Sequence, residues 1–153
     1  MMTNKEFFNK VVNDIENLSN IKLYIAQGNE DILESVNNAI NAIRIVFAFK
    51  FWNIIAWEFN SKENPILSDD ISTYIANHDM YFNAYNHDIF IFHYKIDGYY
   101  YYCKGKDKGR SQNKYRYPEF AMVEWYLTTM NQWDNECISQ YINDGVKEYK
   151  NDK

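Results

Sequence analysis

Two aromatic runs joined by Asp97-Gly98 predict a β-hairpin in the middle of the chain. Residues 88–95 are rich in Ile, Phe and Tyr, and residues 99–103 begin with four consecutive tyrosines. Asp97 and Gly98 both tolerate positive φ, which a two-residue hairpin turn requires. With a third strand at residues 114–117, the pattern predicts a small antiparallel sheet.

A two-residue turn would fix the register of this hairpin. Ile96 is then expected to oppose Tyr99, and Tyr94 to oppose Tyr101. One face of the hairpin is expected to pack on helices and carries Phe92, Tyr94, Ile96, Tyr99, Tyr101 and Cys103. The other face is expected to meet solvent and carries Ile91, His93, Lys95, Tyr100, Tyr102 and Lys104. A slip of one residue would exchange the two faces.

The charge of the chain changes sign at the hairpin. The 153 residues carry a net charge of −5, yet residues 95–116 hold seven Lys and Arg against two acidic residues, a net +5. Such an island creates a local positive potential that steers an anionic partner, although a solvated loop explains it equally well. The predicted binding residues are Lys95, Tyr100, Tyr102, Lys104, Lys106, Lys108, Arg110, Lys114 and Arg116. Among them the two arginines are expected to matter most, because guanidinium grips carboxylate or phosphate in a bidentate manner.

Helices are predicted before the hairpin. Thr3 and Glu6 fit a capping box ahead of a helix over residues 4–18, and residues 21–25 suit either a strand or a further helical turn. Asn29 is a favourable N-cap for a second helix, expected to continue to about residue 59. A short helix is predicted from Ser68, and a short strand near residues 80–82.

A long helix is predicted after the sheet. Pro118 suits a first helical turn, apolar residues recur at helical spacing as far as residue 141, and Gly145 is a plausible terminator. Trp133 on this helix is expected to be buried where the helix meets the sheet. The predicted class is α+β, with N-terminal helices and a long C-terminal helix on a small antiparallel sheet of about three to four strands. A single domain is expected over residues 1–145, with a frayed tail over residues 146–153.

The sequence argues against the commonest catalytic and metal sites. His87 and His93 would lie roughly 20 Å apart on one strand, too far to share a metal ion. No GxSxG or HExxH motif occurs, and the loop from Gly105 to Arg110 lacks the spacing of a phosphate loop. We therefore expect no catalytic residues, no bound metal and no cofactor.

The composition indicates where in the cell the chain acts and what kind of genome encodes it. Aromatic residues make up 18% of it, so some tyrosines are expected on the surface, where they form good contacts. Two cysteines without a CxxC motif predict a reducing, cytoplasmic location, and residues 43–59 are too short and too charged for a membrane span. Abundant Asn, Lys, Ile and Tyr indicate an AT-rich genome, such as that of a low-GC bacterium or its phages.

These features predict a small protein that acts by binding, without catalysis. The leading hypothesis is an inhibitor from a phage or mobile element that contacts a host nuclease or defence complex. A toxin-neutralising immunity protein has the same profile. The alternative is binding of nucleotide or nucleic acid, an anionic ligand, through the basic hairpin. A homodimer is also expected, because so many aromatic side chains are hard to bury in one copy.

Overall fold

The structure, a computed structural model, describes residues 2–25, 29–51, 80–84, 87–105 and 109–136. The chain forms two compact units, one of Met1–Lys50 with Trp133–Lys153 and the other of Phe51–Gln132. Helices and an antiparallel sheet are both present, so the predicted α+β class is confirmed.

The first unit contains two long helices. Helix α1 spans Asn4–Ile25 and helix α2 spans Glu30–Lys50. Helix α1 is therefore seven residues longer than the residues 4–18 predicted, and residues 21–25 form further helical turns. Asn29 caps α2 as predicted, since its Oδ1 accepts the Ile32 N–H at 3.4 Å. The predicted continuation of α2 to residue 59 falls on residues outside those described.

The N-terminus of α1 satisfies all four of its free backbone amides. The predicted capping box is present, because Thr3 Oγ1 accepts the Glu6 N–H at 3.1 Å and Glu6 Oε1 accepts the Thr3 N–H at 3.4 Å. The Phe7 N–H makes the first bond within the helix, to the Thr3 carbonyl. The two remaining amides donate to backbone carbonyls of residues 133–135. The Asn4 N–H donates to Asn135 O at 2.6 Å, and the Lys5 N–H donates to Trp133 O at 2.8 Å.

The core of this unit is aromatic and aliphatic. Phe47 stacks on Phe7 with ring centroids 6.0 Å apart and meets Phe8 at 6.1 Å. Trp133 closes this cluster edge-on against Phe8 at 5.3 Å. The other buried apolar side chains of α1 and α2 are Val11, Ile15, Val36 and Ile40.

The second unit holds the sheet. Strands β1 (Met80–Ala84), β2 (His87–Tyr94) and β3 (Tyr99–Cys103) pair antiparallel in the order β1-β2-β3. The hairpin between β2 and β3 exists, but its predicted register is wrong. Tyr94 pairs with Tyr99, and residues 95–98 form a four-residue turn in which Gly98 takes φ 74°.

A helix, α3 (Pro118–Thr129), packs on the sheet and is buried on all sides from Pro118 to Leu127. Apolar residues surround most of the helix, as expected of a central helix, and Glu119 and Glu124 are buried among them. Trp125 is the largest fully buried side chain in the described residues. Tyr102 and Tyr115 reach this helix, so their face of the sheet is the one that α3 covers.

The predicted long C-terminal helix does not form as one piece, because α3 ends at Thr129. Asn131 takes φ 53°, its N–H donates to Thr128 O, and the Gln132 N–H donates to Leu127 O. These two bonds define a Schellman motif with Asn131 in the left-handed position. The placement of Trp133 on this helix is therefore wrong. The predicted helical continuation over residues 137–145, the tail and the short helix from Ser68 lie outside the described residues.

Substitutions at Asn131 test this helix end. In the left-handed conformation, Asn131→Ala should lower the free energy of unfolding by about 1 kcal/mol, and Asn131→Gly should be neutral within a few tenths. A helix continuing through this position would show the reverse order, because alanine favours and glycine disfavours a helix interior. Chemical denaturation of both variants distinguishes the two cases.

Candidate binding surface

The segment that follows the basic loop is fixed along the free edge of β3. Tyr100 N–H donates to Tyr115 O at 2.7 Å, and Tyr115 N–H returns a bond to Tyr100 O at 3.0 Å. Further along, Ser111 N–H donates to Tyr102 O at 2.6 Å, and Tyr102 N–H donates to Ser111 Oγ at 3.2 Å. These four bonds set the register of residues 111–115 against β3.

This register decides which face of the sheet each cation reaches. Tyr115 lies directly opposite Tyr100, so both side chains point to the face covered by α3. Their neighbours in sequence, Lys114 and Arg116, must then lie on the other face. There they meet the side chain of Tyr99.

We call this other surface the cation–tyrosine face; it consists of Tyr94, Tyr99, Tyr101, Arg110, Lys114 and Arg116. The Arg110 guanidinium lies 4.9 Å from the ring centroid of Tyr94 and 4.4 Å from that of Tyr101. Lys114 Nζ lies 4.3 Å from the Tyr99 ring, and the Arg116 guanidinium lies 5.3 Å from it. All four distances are within the range of cation–π attraction.

Aromatic side chains continue the face along β2. Phe90 stacks on Phe92 with centroids 5.8 Å apart, and Phe92 meets Tyr94 at 6.1 Å. Tyr94 in turn packs edge-on against Tyr101 across the strands at 5.1 Å. Phe90, Phe92 and Tyr94 are each partly exposed, so the row is accessible to solvent beside the cations.

Asp97 supplies the carboxylate beside these cations. Tyr101 O–H donates to Asp97 Oδ2 at 2.5 Å, and Tyr99 N–H donates to Oδ1 at 3.0 Å. The hydrogen bond from Tyr101 lowers the pKa of Asp97, with smaller contributions from Lys114 and Arg110, and it raises the pKa of the Tyr101 hydroxyl. Because the folded-state pKa is lowered, ionised Asp97 stabilises the hairpin above its ordinary pKa. That contribution is lost as the pH falls through the lowered value.

The covered face holds a buried carboxylate that anchors the same segment. Glu124 of α3 is 7% exposed, and its Oε1 accepts the Asn113 Nδ2–H at 2.6 Å. Burial first, and then the hydrogen bond to Glu124, raise the pKa of Tyr115. Glu124 Oε2 has no hydrogen-bond partner in the described part of the chain. Glu124 thus joins α3 to the segment that carries the cations.

The structure divides the predicted binding residues between the two faces. Arg110, Lys114 and Arg116 lie on the cation–tyrosine face. Lys95 and Lys104 are exposed near the ends of the β2–β3 hairpin, and Lys106 and Lys108 lie outside the described residues.

The predicted solvent exposure is wrong for Tyr100 and holds only in part for Tyr102. Tyr100 is buried against His93 with ring centroids 4.5 Å apart, and Tyr102 is partly buried with its hydroxyl hydrogen-bonded to Thr128. The residues of the hairpin strands keep their predicted grouping, because the real register differs by two residues, but α3 covers the opposite face. Lys114 and Arg116 were predicted to join Tyr100 and Tyr102 and instead lie beside Tyr99. The predicted packing face also loses Ile96, which is fully exposed in the turn.

Sequence reasoning missed the tyrosines that hold the cations and the groups that anchor the segment. Tyr94, Tyr99 and Tyr101 alternate along the strands, but alternation does not reveal which face a helix will cover. Ser111 and Glu124 carry no motif. Their roles depend on contacts nine and eleven residues away in sequence, to Tyr102 and Asn113.

In the described residues, no group of three His, Cys, Asp or Glu side chains is arranged to hold a metal ion. None of the described helices is long and apolar enough to cross a membrane. Comparison of the chain with protein-family models, curated proteins and solved structures finds no match.

Replacing one hydroxyl tests the Asp97 interaction. Tyr101→Phe should raise the pKa of Asp97 towards its ordinary value, because the hydrogen bond that lowers it most is removed. Carbon-detected NMR of the Asp97 carboxyl carbon as a function of pH measures this value. Tyr94→Phe is the matched control, since Tyr94 does not bond to Asp97, and it should leave the titration unchanged. Identical titrations in both variants would contradict the assignment.

The Glu124 anchor predicts unequal effects of two substitutions. Glu124→Ala should lower the free energy of unfolding by about 1–3 kcal/mol, because the buried Tyr115 hydroxyl loses its acceptor. Glu124→Gln retains an acceptor oxygen and should cost less than about 1 kcal/mol. Thermal and chemical denaturation measure both, and equal stability of the two variants would show that the anchor contributes nothing.

Proposed function

We propose that this chain is a binding protein that docks on an acidic protein surface through its cation–tyrosine face. The observation that carries the proposal is the placement of Arg110, Lys114 and Arg116 within 4.3–5.3 Å of tyrosine rings on one side of the sheet. Asp97 is the carboxylate beside them, so the three cations leave this surface net positive.

The arrangement suits tight binding because the cations are held before a partner arrives. A guanidinium that lies over a ring has lost part of its rotamer freedom, so less entropy remains to be lost on association. Its planar set of N–H donors matches the two oxygens of a carboxylate, a bidentate geometry that lysine cannot reproduce. Tyrosine and arginine are also the residues that most often dominate the energy of protein interfaces.

The same geometry argues against a stacking platform for single-stranded nucleic acid. Such platforms present open aromatic faces to successive bases. Here cations lie over Tyr94, Tyr99 and Tyr101, and Tyr101 is only 4% exposed. The surface therefore offers positive charge and partly exposed rings at its margin, which fits an acidic protein better.

The AT-rich composition of the chain supports one class of partner. We propose a host nuclease or defence complex as the target, with the chain acting in the cytoplasm as an inhibitor from a phage or mobile element. An immunity protein that neutralises a toxin would use the same face. Neither role needs a catalytic group, since inhibition requires affinity and not chemistry.

A second candidate function is binding of nucleotide or nucleic-acid phosphates. Three cations on one face favour it, because phosphates are attracted by charge and do not need an open ring. Gly105 and Gly109 flank residues 106–108 with φ of 88° and 62°, conformations that few other residues adopt at low cost.

A charge-reversal pair tests the proposed face. We expect Arg110→Glu with Arg116→Glu to weaken binding to the partner at least tenfold, about 1.4 kcal/mol. The difference from wild type should shrink as salt rises, because the attraction of the wild-type cations is screened. Lys5→Glu with Lys10→Glu changes the net charge equally at exposed positions of α1 and should bind as wild type does.

The experiment starts by capturing partners from a lysate of a low-GC bacterium, with and without nuclease treatment, followed by calorimetry with each variant. Circular dichroism and thermal melts establish that the variants are folded. Capture of a protein by wild type and by the Lys5/Lys10 control, but not by the Arg110/Arg116 variant, supports the proposal. Loss of capture on nuclease treatment favours the nucleic-acid function, and equal affinity of all three proteins removes the face from consideration.

A further inference from the structure

The side of the sheet that carries the cation–tyrosine face has an apolar zone beside its charged zone. The partly exposed side chains of β2 on this side form what we call the aromatic row, which consists of Phe90, Phe92 and Tyr94. Lys114 and Arg116 belong to the segment that pairs with the far edge of β3. Neighbouring strands lie about 4.8 Å apart, so these two cations lie roughly 10 Å to one side of the aromatic row. The guanidinium of Arg110 lies over Tyr94, between the two zones.

The carboxylate beside the cations is already used within the chain. Asp97 Oδ1 accepts the Tyr99 N–H at 3.0 Å, and Asp97 Oδ2 accepts the Tyr101 O–H at 2.5 Å. Neither Arg110 nor Lys114, both exposed, forms an ion pair with a described residue. Their positive charge therefore remains to attract the carboxylates of a partner.

A helix fits this surface better than an extended peptide. A peptide can add to a sheet as a strand only at a free edge, and residues 111–115 already bond to the edge of β3 that lies beside the cations. An extended peptide laid across the aromatic rings would leave its backbone N–H and C=O groups against apolar surface without partners. A helix satisfies these groups internally and presents side chains only. Helix α3 covers the opposite face of the same sheet in this way.

The dimensions of the surface match two turns of a helix. At roughly 3.3 Å per strand residue, the aromatic row is about 13 Å long from Phe90 to Tyr94. Two helical turns are about 11 Å long, so apolar side chains at i, i+3 or i+4, and i+7 match the row. A helix is about 10–12 Å wide with its side chains, so only the flank that lies over β3 comes near the cations.

We propose that the cation–tyrosine face receives an amphipathic helix of a partner protein. The apolar stripe of this helix lies on the aromatic row, and Asp or Glu residues along one flank of the stripe meet Arg110 and Lys114. This inference rests on the proposed function and narrows its acidic partner to a protein that presents such a helix.

Three synthetic peptides of about 18 residues, long enough to be partly helical alone, test the proposal. The first has an apolar stripe with Glu along one flank and Gln elsewhere. The second has the same composition, but its Glu residues lie opposite the stripe. The third is the first with proline at two central positions, which break the helix. Fluorescence anisotropy with the full chain should show the first peptide binding at least about tenfold more tightly than either of the others.

Each of three results with the peptides overturns the proposal. Equal binding of the first and second peptides would show that the position of the charge is irrelevant. Equal binding of the first and third would show that no helix is needed. The third result is an absence of binding by the first peptide.

Variants of the chain assign the binding to this face. Arg110→Gln with Lys114→Gln should weaken the first peptide at least about tenfold and remove its advantage over the second. Lys5→Gln with Lys10→Gln is the matched control, because it removes the same charge at exposed positions of α1 and should bind as wild type does. Unchanged affinity of the Arg110/Lys114 variant, in a chain that circular dichroism shows to be folded, overturns the assignment.

Two outcomes separate a wrong helix from a wrong docking face. If Arg110→Glu with Arg116→Glu abolishes capture of an acidic protein but the first peptide does not bind, only the helix is wrong. If that variant binds the captured protein as wild type does, the proposed function itself is wrong. A single-stranded DNA of about 12 nucleotides that binds more tightly than the first peptide would assign the face to nucleic acid and overturn the helix.

Discussion

The backbone pairing of Tyr115 with Tyr100 is the interaction on which the cation–tyrosine face depends. Two backbone hydrogen bonds, of 2.7 and 3.0 Å, determine which side chains of residues 114–116 point to each face of the sheet. Tyr115 is thereby directed to the buried face, and Lys114 and Arg116 to the face of Tyr99. A shift of one residue in this pairing would bury the two cations under α3 and expose Tyr115, which is energetically prohibitive without partners. Burial of Tyr115 beside Glu124 therefore enforces the surface position of the charges.

Local signals in the sequence were sufficient where the structure is determined by neighbouring residues. The capping box at Thr3, the cap at Asn29 and the existence of the hairpin all depend on groups within a few positions of one another. The hairpin register was wrong by two residues, because Lys95 and Ile96 join the turn in place of the strands. A shift of two retains the residue set of each face, so the grouping of tyrosines survived the error.

The choice of the buried face could not be obtained in this way. Both faces of the hairpin carry aromatic residues, and alternation ranks neither as the more apolar. The buried face is the one on which α3 packs, because the apolar side chains of α3 need a surface to cover them. The end of α3 was missed for a related reason. Helical spacing continues past Thr129 in the sequence, but Asn131 adopts the left-handed conformation and ends the helix.

The rings and the cations of the cation–tyrosine face come from separate stretches of chain. Tyr94, Tyr99 and Tyr101 belong to the hairpin, while Arg110, Lys114 and Arg116 arrive only when the following segment closes on β3. The recognition surface is therefore a discontinuous epitope. A linear peptide copied from either stretch would lack half of its chemistry, and an antibody raised against the native surface would not recognise the denatured chain. Transfer of this surface to another scaffold would require the strand edge as well as the side chains.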